Sequence, residues 1–199
     1  MNEILVYTQL NKNEICDFSY DLISYAKEIS KNETVISSAI IANSDFILDE
    51  NKKKNLYKCG ADKVYLIKEN FSYYDKYYFP DLIFETVKKI NPSIVLFNST
   101  TEGREIAPKT ASKLNTGLTA DCTGLEIIKK EDGFKLISTR PTFGGKLMAS
   151  ILSKTTPDMS TVRVNTFKKK EFNFEGEIEV IELNFEVNQN SSIKILEFI

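Results

Sequence analysis

The chain of 199 residues has no histidine and no tryptophan, and it contains three cysteines, eight glycines and five prolines. Without histidine, the commonest general base, the commonest metal ligand and the usual partner of a nucleophilic serine or cysteine are all missing, which removes most hydrolase templates. Cys16, Cys59 and Cys122 are odd in number and far apart, with neither a CxxC pair nor a zinc spacing, and they read as reduced, buried thiols. Glycine and proline are too sparse for a collagenous or low-complexity chain. No apolar run approaches the roughly 20 residues of a spanning helix. Met1-Asn2-Glu3 leads straight into an apolar strand without the basic segment of a signal peptide, so the expected location is cytoplasmic. With 26 Lys and Arg against 28 Asp and Glu, the net charge is −2 and the isoelectric point near 5.5. That balance argues against a large electrostatic footprint for nucleic acid or an anionic membrane.

What is present is a globular balance, with 42% hydrophobic and 27% charged residues. A chain of this length buries roughly 70% of its unfolded surface and needs no disulfide or metal to fold. The run Ile4 to Thr8 suits a buried parallel strand. Ile15, Phe18, Leu22, Tyr25, Ala26 and Ile29 then recur at helical spacing with polar residues between them. Thr34 to Ala42 reads as a second buried strand, Ile47 to Lys58 as a helix ending at Gly60, and Lys63 to Ile67 as a third strand. Pro80 opens a helix with Ile83, Val87 and Ile90 on one stripe, closed by Asn91-Pro92 and followed by a strand from Ile94 to Phe97. A polar loop, Asn98 to Gly103, leads into a helical stretch reaching Leu114; Pro108 is expected to prevent a regular helix from starting much before Arg104.

From Thr119 the texture turns to β-branched alternation, with strands expected at Leu125 to Ile128, Phe134 to Thr139, Leu147 to Leu152, Thr161 to Val164 and Glu177 to Val187. Asp132-Gly133 marks a hairpin, because that pair accepts positive φ. The alternation over Ile4 to Leu114 implies right-handed crossovers and a mainly parallel sheet covered on both faces, a three-layer Rossmann-like α/β fold. The later strands must extend or flank that sheet, since no further helix is available to cover another. The expectation is one domain over 1–199, with a βαβ core in 1–118 and a β-rich extension in 119–199. Lys52-Lys53-Lys54 reads as a solvated helix face.

Open α/β sheets bind ligands beyond the carboxyl ends of their strands. The loop after the fourth strand offers Ser99, Thr100, Thr101 and Gly103 at a helix N-terminus, with Arg104 as a fixed cation, a set suited to a phosphate or carboxylate. Neither a GxGxxG fingerprint nor a Walker loop is present, and the alternative is that Thr101 caps the helix while Arg104 pairs with Glu102 or a carbonyl. In Thr139 to Lys146, Arg140 stands beside Gly144-Gly145, which suits either a clamp for an anion or a partner's carboxylate or a tight connection between strands. Asp121 and Glu126 form no recognisable acid/base constellation, and Cys122 reads as a small hydrophobe. Tyr73, Tyr74, Tyr77, Tyr78 and Phe79 form an aromatic cluster that suits a partner surface or a cover over the sheet edge.

Four stretches taken together, Leu56 to Ile67, Ser99 to Ile127, Thr139 to Ile151 and Pro157 to Arg163, resemble the N-terminal domain of the alpha subunit of electron transfer flavoprotein. The resemblance implies an adenine-nucleotide alpha-hydrolase-like scaffold that pairs with a beta subunit. It also implies an FAD-containing heterodimer carrying electrons from flavin dehydrogenases to a membrane quinone reductase or other acceptor. Such a carrier has no catalytic site of its own in this domain. In that family FAD sits chiefly in a later alpha-subunit domain, whose Gly-rich and Ser/Thr-rich segment is not found before Ile199. The expectation is therefore a truncated piece without tightly bound flavin. The matching positions Gly103, Arg104, Thr119, Asp121, Arg140, Gly144, Gly145 and Arg163 are scaffold and interface candidates. A stand-alone adenine-nucleotide-binding module, using Thr100 to Arg104, is the competing expectation.

Overall fold

The computed structural model describes residues 3–71, 76–130, 133–173 and 176–186. All five residues of β1 (Glu3–Tyr7) are buried, as befits a central strand covered on both faces. A short hairpin, β2 (Leu10–Asn11) with β3 (Glu14–Ile15), precedes α1 (Asp17–Ser30). Ile15, expected on the helix, belongs instead to the hairpin, because Lys12 turns the chain at φ 55° and the Cys16 amide bonds back to the Gln9 carbonyl. Then follow β4 (Val35–Asn43), α2 (Glu50–Lys58), β5 (Lys63–Glu69), α3 (Phe79–Ile90), β6 (Ile94–Asn98) and α4 (Thr101–Lys113). α2 starts at Glu50, later than the apolar pattern suggests, because Asp49 caps it by accepting from the Lys52 amide. At its end Gly60, at φ 97°, lets its own amide reach the Tyr57 carbonyl and the Ala61 amide reach that of Leu56.

α4 begins at Thr101 and runs through Pro108, so the expected delay of its start is overturned. Proline deprives the Arg104 carbonyl of its helical donor, but Arg104 lies on the exposed side of the helix.

The second half supplies β7 (Leu118–Cys122), β8 (Gly124–Lys130), β9 (Gly133–Thr142), β10 (Leu147–Leu152), β11 (Asp158–Val162) and β12 (Glu179–Leu183). Strand β7 has no counterpart in the sequence expectation. Seven strands form one sheet in the order β12-β5-β4-β1-β6-β11-β7, every neighbouring pair parallel. Three more make an antiparallel sheet, β10-β9-β8, in which Lys130 faces Gly133; Asp132, in the connection, lies outside the described residues. The later strands thus both extend the parallel sheet and flank it.

Alternation along each strand divides the core. Ile4, Val6, Ile36 and Ile40 pack with Leu22, Ile23 and Ala26 of α1 and Leu56 of α2. Leu5, Ala39 and Ile41 pack with Leu82, Ile83 and Val87 of α3 and Ile106 and Ala107 of α4 on the opposite face. The outcome is a three-layer α/β fold. The antiparallel sheet is tied to it by polar bonds: the Leu136 amide donates to Asp158 at 2.7 Å, Ser138 and Ser160 share a hydroxyl bond of 2.6 Å, and Tyr25 donates to the Leu125 carbonyl at 3.0 Å. Tyr78 and Phe79 are each 2% exposed and stack edge to face, so this part of the aromatic cluster is core; Tyr73 and Tyr74 lie outside the described residues.

Candidate functional site

Strand β1 lies between β4 and β6, so chain order reverses across it and a crevice opens at its carboxyl end. A cavity of about 240 Å³ occurs there, with Tyr7, Asn43, Phe71, Lys76 and Glu102 among its walls. Three of its polar side chains are tied to one another. Tyr7 donates to one oxygen of Glu102 at 2.6 Å, and Lys76 pairs with the other. Burial, and then the Glu102 carboxylate, push the Tyr7 phenol well above the ordinary tyrosine range.

The loop entering α4 is capped and paired differently from the sequence expectation. Thr100, not Thr101, caps the helix: its hydroxyl accepts from the Gly103 amide at 3.0 Å and donates to Gln9 at 2.8 Å. Thr101 is exposed in the first turn. Gly103 is needed because a Cβ there would lie 1.9 Å from the Asn98 carbonyl, so helix and strand meet backbone to backbone. Among the described residues Arg104 pairs neither with Glu102 nor with a carbonyl. Its Nε donates to the Ser99 hydroxyl at 3.0 Å and its Nη2 lies 3.4 Å from Asp121, outside the crevice.

Asp121 organises a second locus at the ends of β6, β7 and β11. Between β7 and β11 the register slips, so that three steps from Thr119 to Cys122 face two from Ser160 to Val162. Asp121, in that bulge, takes φ 60°, and its amide bonds to the Thr161 hydroxyl at 2.8 Å. The bulge aims its carboxylate at Arg163, which donates from Nη2 at 2.6 Å and from Nε at 3.3 Å. This two-pronged contact holds the Asp121 carboxyl below the usual carboxylate range.

Arg163 also lines an open cavity of about 620 Å³ with Arg140, Thr142, Phe143, Gly144 and Gly145. Four expected candidates, Arg140, Gly144, Gly145 and Arg163, thus share one concavity, and Arg104 reaches its border through Asp121. Thr100 and Thr101 belong elsewhere. Phe143 (φ 48°), Gly144 (φ 67°) and Gly145 (φ 86°) turn the chain left-handed from β9 into β10, and Phe143 is 80% exposed.

The sequence reading of β10 as an ordinary strand misses its exposure. Among the described residues it ends its sheet, pairing along one side with β9. Leu147, Met148, Ile151 and Leu152 are 59, 57, 39 and 41% exposed, a concentration that on soluble proteins marks a contact surface. Leu147 and Ile151 point to one face and Met148 and Leu152 to the other, so both faces and the free edge are apolar. The signal for it is the uninterrupted LMASIL with no helix left to cover it.

All three cysteines are free; Cys59 and Cys122 are buried, whereas Cys16, contrary to expectation, is half-exposed. Burial pushes the Cys59 thiol up to about 11 and raises the other two. Among the described residues no cluster of His, Cys, Asp and Glu could hold a metal ion, and no helix is long and apolar enough to cross a membrane.

The electron transfer flavoprotein domain model matches residues 4–187. The chain belongs to the electron transfer flavoprotein family. It is 33% identical over 190 residues to an electron transfer flavoprotein subunit alpha of Thermoanaerobacterium thermosaccharolyticum, covering 94% of this chain and 56% of that protein. A protein named lactate dehydrogenase (NAD(+),ferredoxin) subunit LctC, of Acetobacterium woodii, is 32% identical, with coverages of 98% and 46%. A FixB protein of Clostridium saccharobutylicum is 31% identical, with 98% and 58%. The chain spans about half the length of these family relatives.

Proposed function

We propose that this chain is the N-terminal scaffold domain of an electron transfer flavoprotein alpha subunit, and that β10 with the Phe143–Gly145 turn is its docking face for the beta subunit. The observation that carries the reading is the bare apolar strand, in a family whose relatives bear subunit names. An edge strand apolar on both faces and flanked by an exposed Phe143 is an aggregation hazard in isolation. Seated against a partner, it becomes the apolar centre of an interface.

In this reading the assembled protein is an FAD-containing heterodimer in the cytoplasm that passes electrons from a dehydrogenase to an acceptor. The crevice at the carboxyl end of β1 does not fit the flavin itself. It falls below the ~300 Å³ of an ordinary small-molecule site, and its Lys76 ammonium is already paired with Glu102. No catalytic step is therefore assigned to these side chains; they supply shape and a docking surface. The competing reading, an adenine-nucleotide module, loses its cation, because Arg104 is turned to Ser99 and Asp121.

The test is association. Mixed with the beta subunit of the same carrier, the chain should co-elute in gel filtration, and Ile151→Asp should abolish co-elution with little change in thermal stability. Wild-type behaviour from Ile151→Asp, or stoichiometric flavin retained by the isolated chain, refutes the proposal. Tight calorimetric binding of AMP, lost in Arg104→Ala, would favour the nucleotide module.

A further inference from the structure

The chain carries 23 lysines and only three arginines, Arg104, Arg140 and Arg163. They are far apart in sequence, on α4, on β9 and just after β11, yet the fold gathers all three at one end of the molecule. Arg104 and Arg163 converge on Asp121, and Arg163 and Arg140 line the same open cavity. Lysine serves for surface charge elsewhere. A guanidinium differs from an ammonium in presenting a planar fork of donors that matches a carboxylate in two places and is less strongly hydrated, properties that matter where a charge is covered by a partner.

The charges at this locus do not balance. Among the described residues, this end holds three guanidiniums beside the carboxylate of Asp121, and that carboxylate is committed to Arg163 and Arg104. Among the described residues Arg140 makes no ion pair, and its Nε is shielded from solvent without a hydrogen-bond partner. The cavity opens beside Phe143, at the head of the apolar β10, so a partner covering the strand also covers the arginines.

We infer that the arginine cluster is a carboxylate receptor, in which Arg140 and the outer edge of Arg163 receive an Asp or Glu side chain from the beta subunit seated on β10. The inference rests on the docking face proposed above and adds the chemistry of its register. Asp121 is a positioning residue: it fixes the Arg163 plane and draws in Arg104, so the receptor is ordered before the partner arrives. The apolar strand supplies the contact area, and the arginines select the alignment in which a carboxylate meets them.

The experiment measures the affinity of the chain for the beta subunit by calorimetry, over about 50 to 500 mM salt. Arg140→Gln should weaken binding at least ~30-fold while leaving thermal stability close to wild type, as expected for loss of a covered charge pair. Arg140→Lys should stay at least ~10-fold weaker, because a point charge does not reproduce the fork. Wild-type affinity should fall with salt, and Arg140→Gln should flatten that dependence. Wild-type affinity in Arg140→Gln overturns the receptor. Should Arg140→Gln fail to fold, a salt-independent wild-type affinity would overturn it equally. If Ile151→Asp weakens binding while Arg140→Gln does not, only this inference fails; if neither does, the docking face itself is wrong.

Discussion

Asp121 accepts both prongs of Arg163, at 2.6 Å and 3.3 Å, from a backbone position at φ 60°, a conformation that non-glycine residues rarely adopt inside a strand. The bulge between β7 and β11 and the ion pair imply one another: without the extra residue the carboxylate would follow the alternation of the strand and face away.

Asparagine tolerates positive φ about as well as aspartate, so Asp121→Asn removes the charge while sparing the backbone. The expected loss is about 1 kcal/mol, or ~3 °C in melting temperature at neutral pH. The Asp121 carboxyl is held below its unfolded value, so this advantage exists above about pH 4 and is lost as the pH falls through the lower folded value. Melting curves of the two proteins should therefore converge in acid; a constant gap would contradict the ion pair.

Gly103 and Gly144 both resist a side chain, for different reasons. A Cβ on Gly103 meets the Asn98 carbonyl at 1.9 Å, so Gly103→Ala must push α4 off β6 and should cost more than ~3 kcal/mol in urea unfolding or leave the chain insoluble. Gly144 has open space but φ 67°, so Gly144→Ala should cost only ~1 kcal/mol. Equal midpoints for the two variants would argue against the close helix–strand approach.

Several tyrosines titrate late in the folded chain. Burial raises Tyr7 and Tyr25 and brings Tyr20 to about 12. Their neutral forms favour the folded state fully below the unfolded tyrosine value near 10, and the stability they contribute is lost as pH rises toward the folded values. Tyrosinate absorbance and far-ultraviolet dichroism, followed together in an alkaline titration, should change cooperatively above about pH 10; full ionisation with the fold intact would refute the burial of these phenols.

Cys59 and Cys122 are buried, and Cys16 is half-exposed with a thiol raised by burial and by Glu102. A disulfide reagent at neutral pH should modify at most Cys16 slowly, and all three thiols after denaturation. Rapid modification of Cys122 in the folded protein would show that β7 opens.

The parallel core was legible because each of its strands is a short apolar run and each helix has one apolar stripe, both local patterns. The Gly60 cap and the β8–β9 hairpin were equally local. Strand β7 was not legible: Leu118–Cys122 is only partly buried and owes its place to pairing with β11, some forty residues later. The cap at Thr100 instead of Thr101 and the start of α4 before Pro108 turn on hydrogen bonds to Gly103 and Gln9, which spacing does not specify. Of the partners that the sequence offers Arg104, Glu102 is not the one it meets; it reaches Asp121, through a bulge that no periodicity announces.

By itself, then, the sequence determined the layered parallel architecture and the family, because hydrophobic period and motif spacing are properties of neighbouring residues. Only the tertiary structure decided that three dispersed arginines meet beside a bare apolar strand, because that meeting depends on which strands pair, in what register, and where one residue is left over.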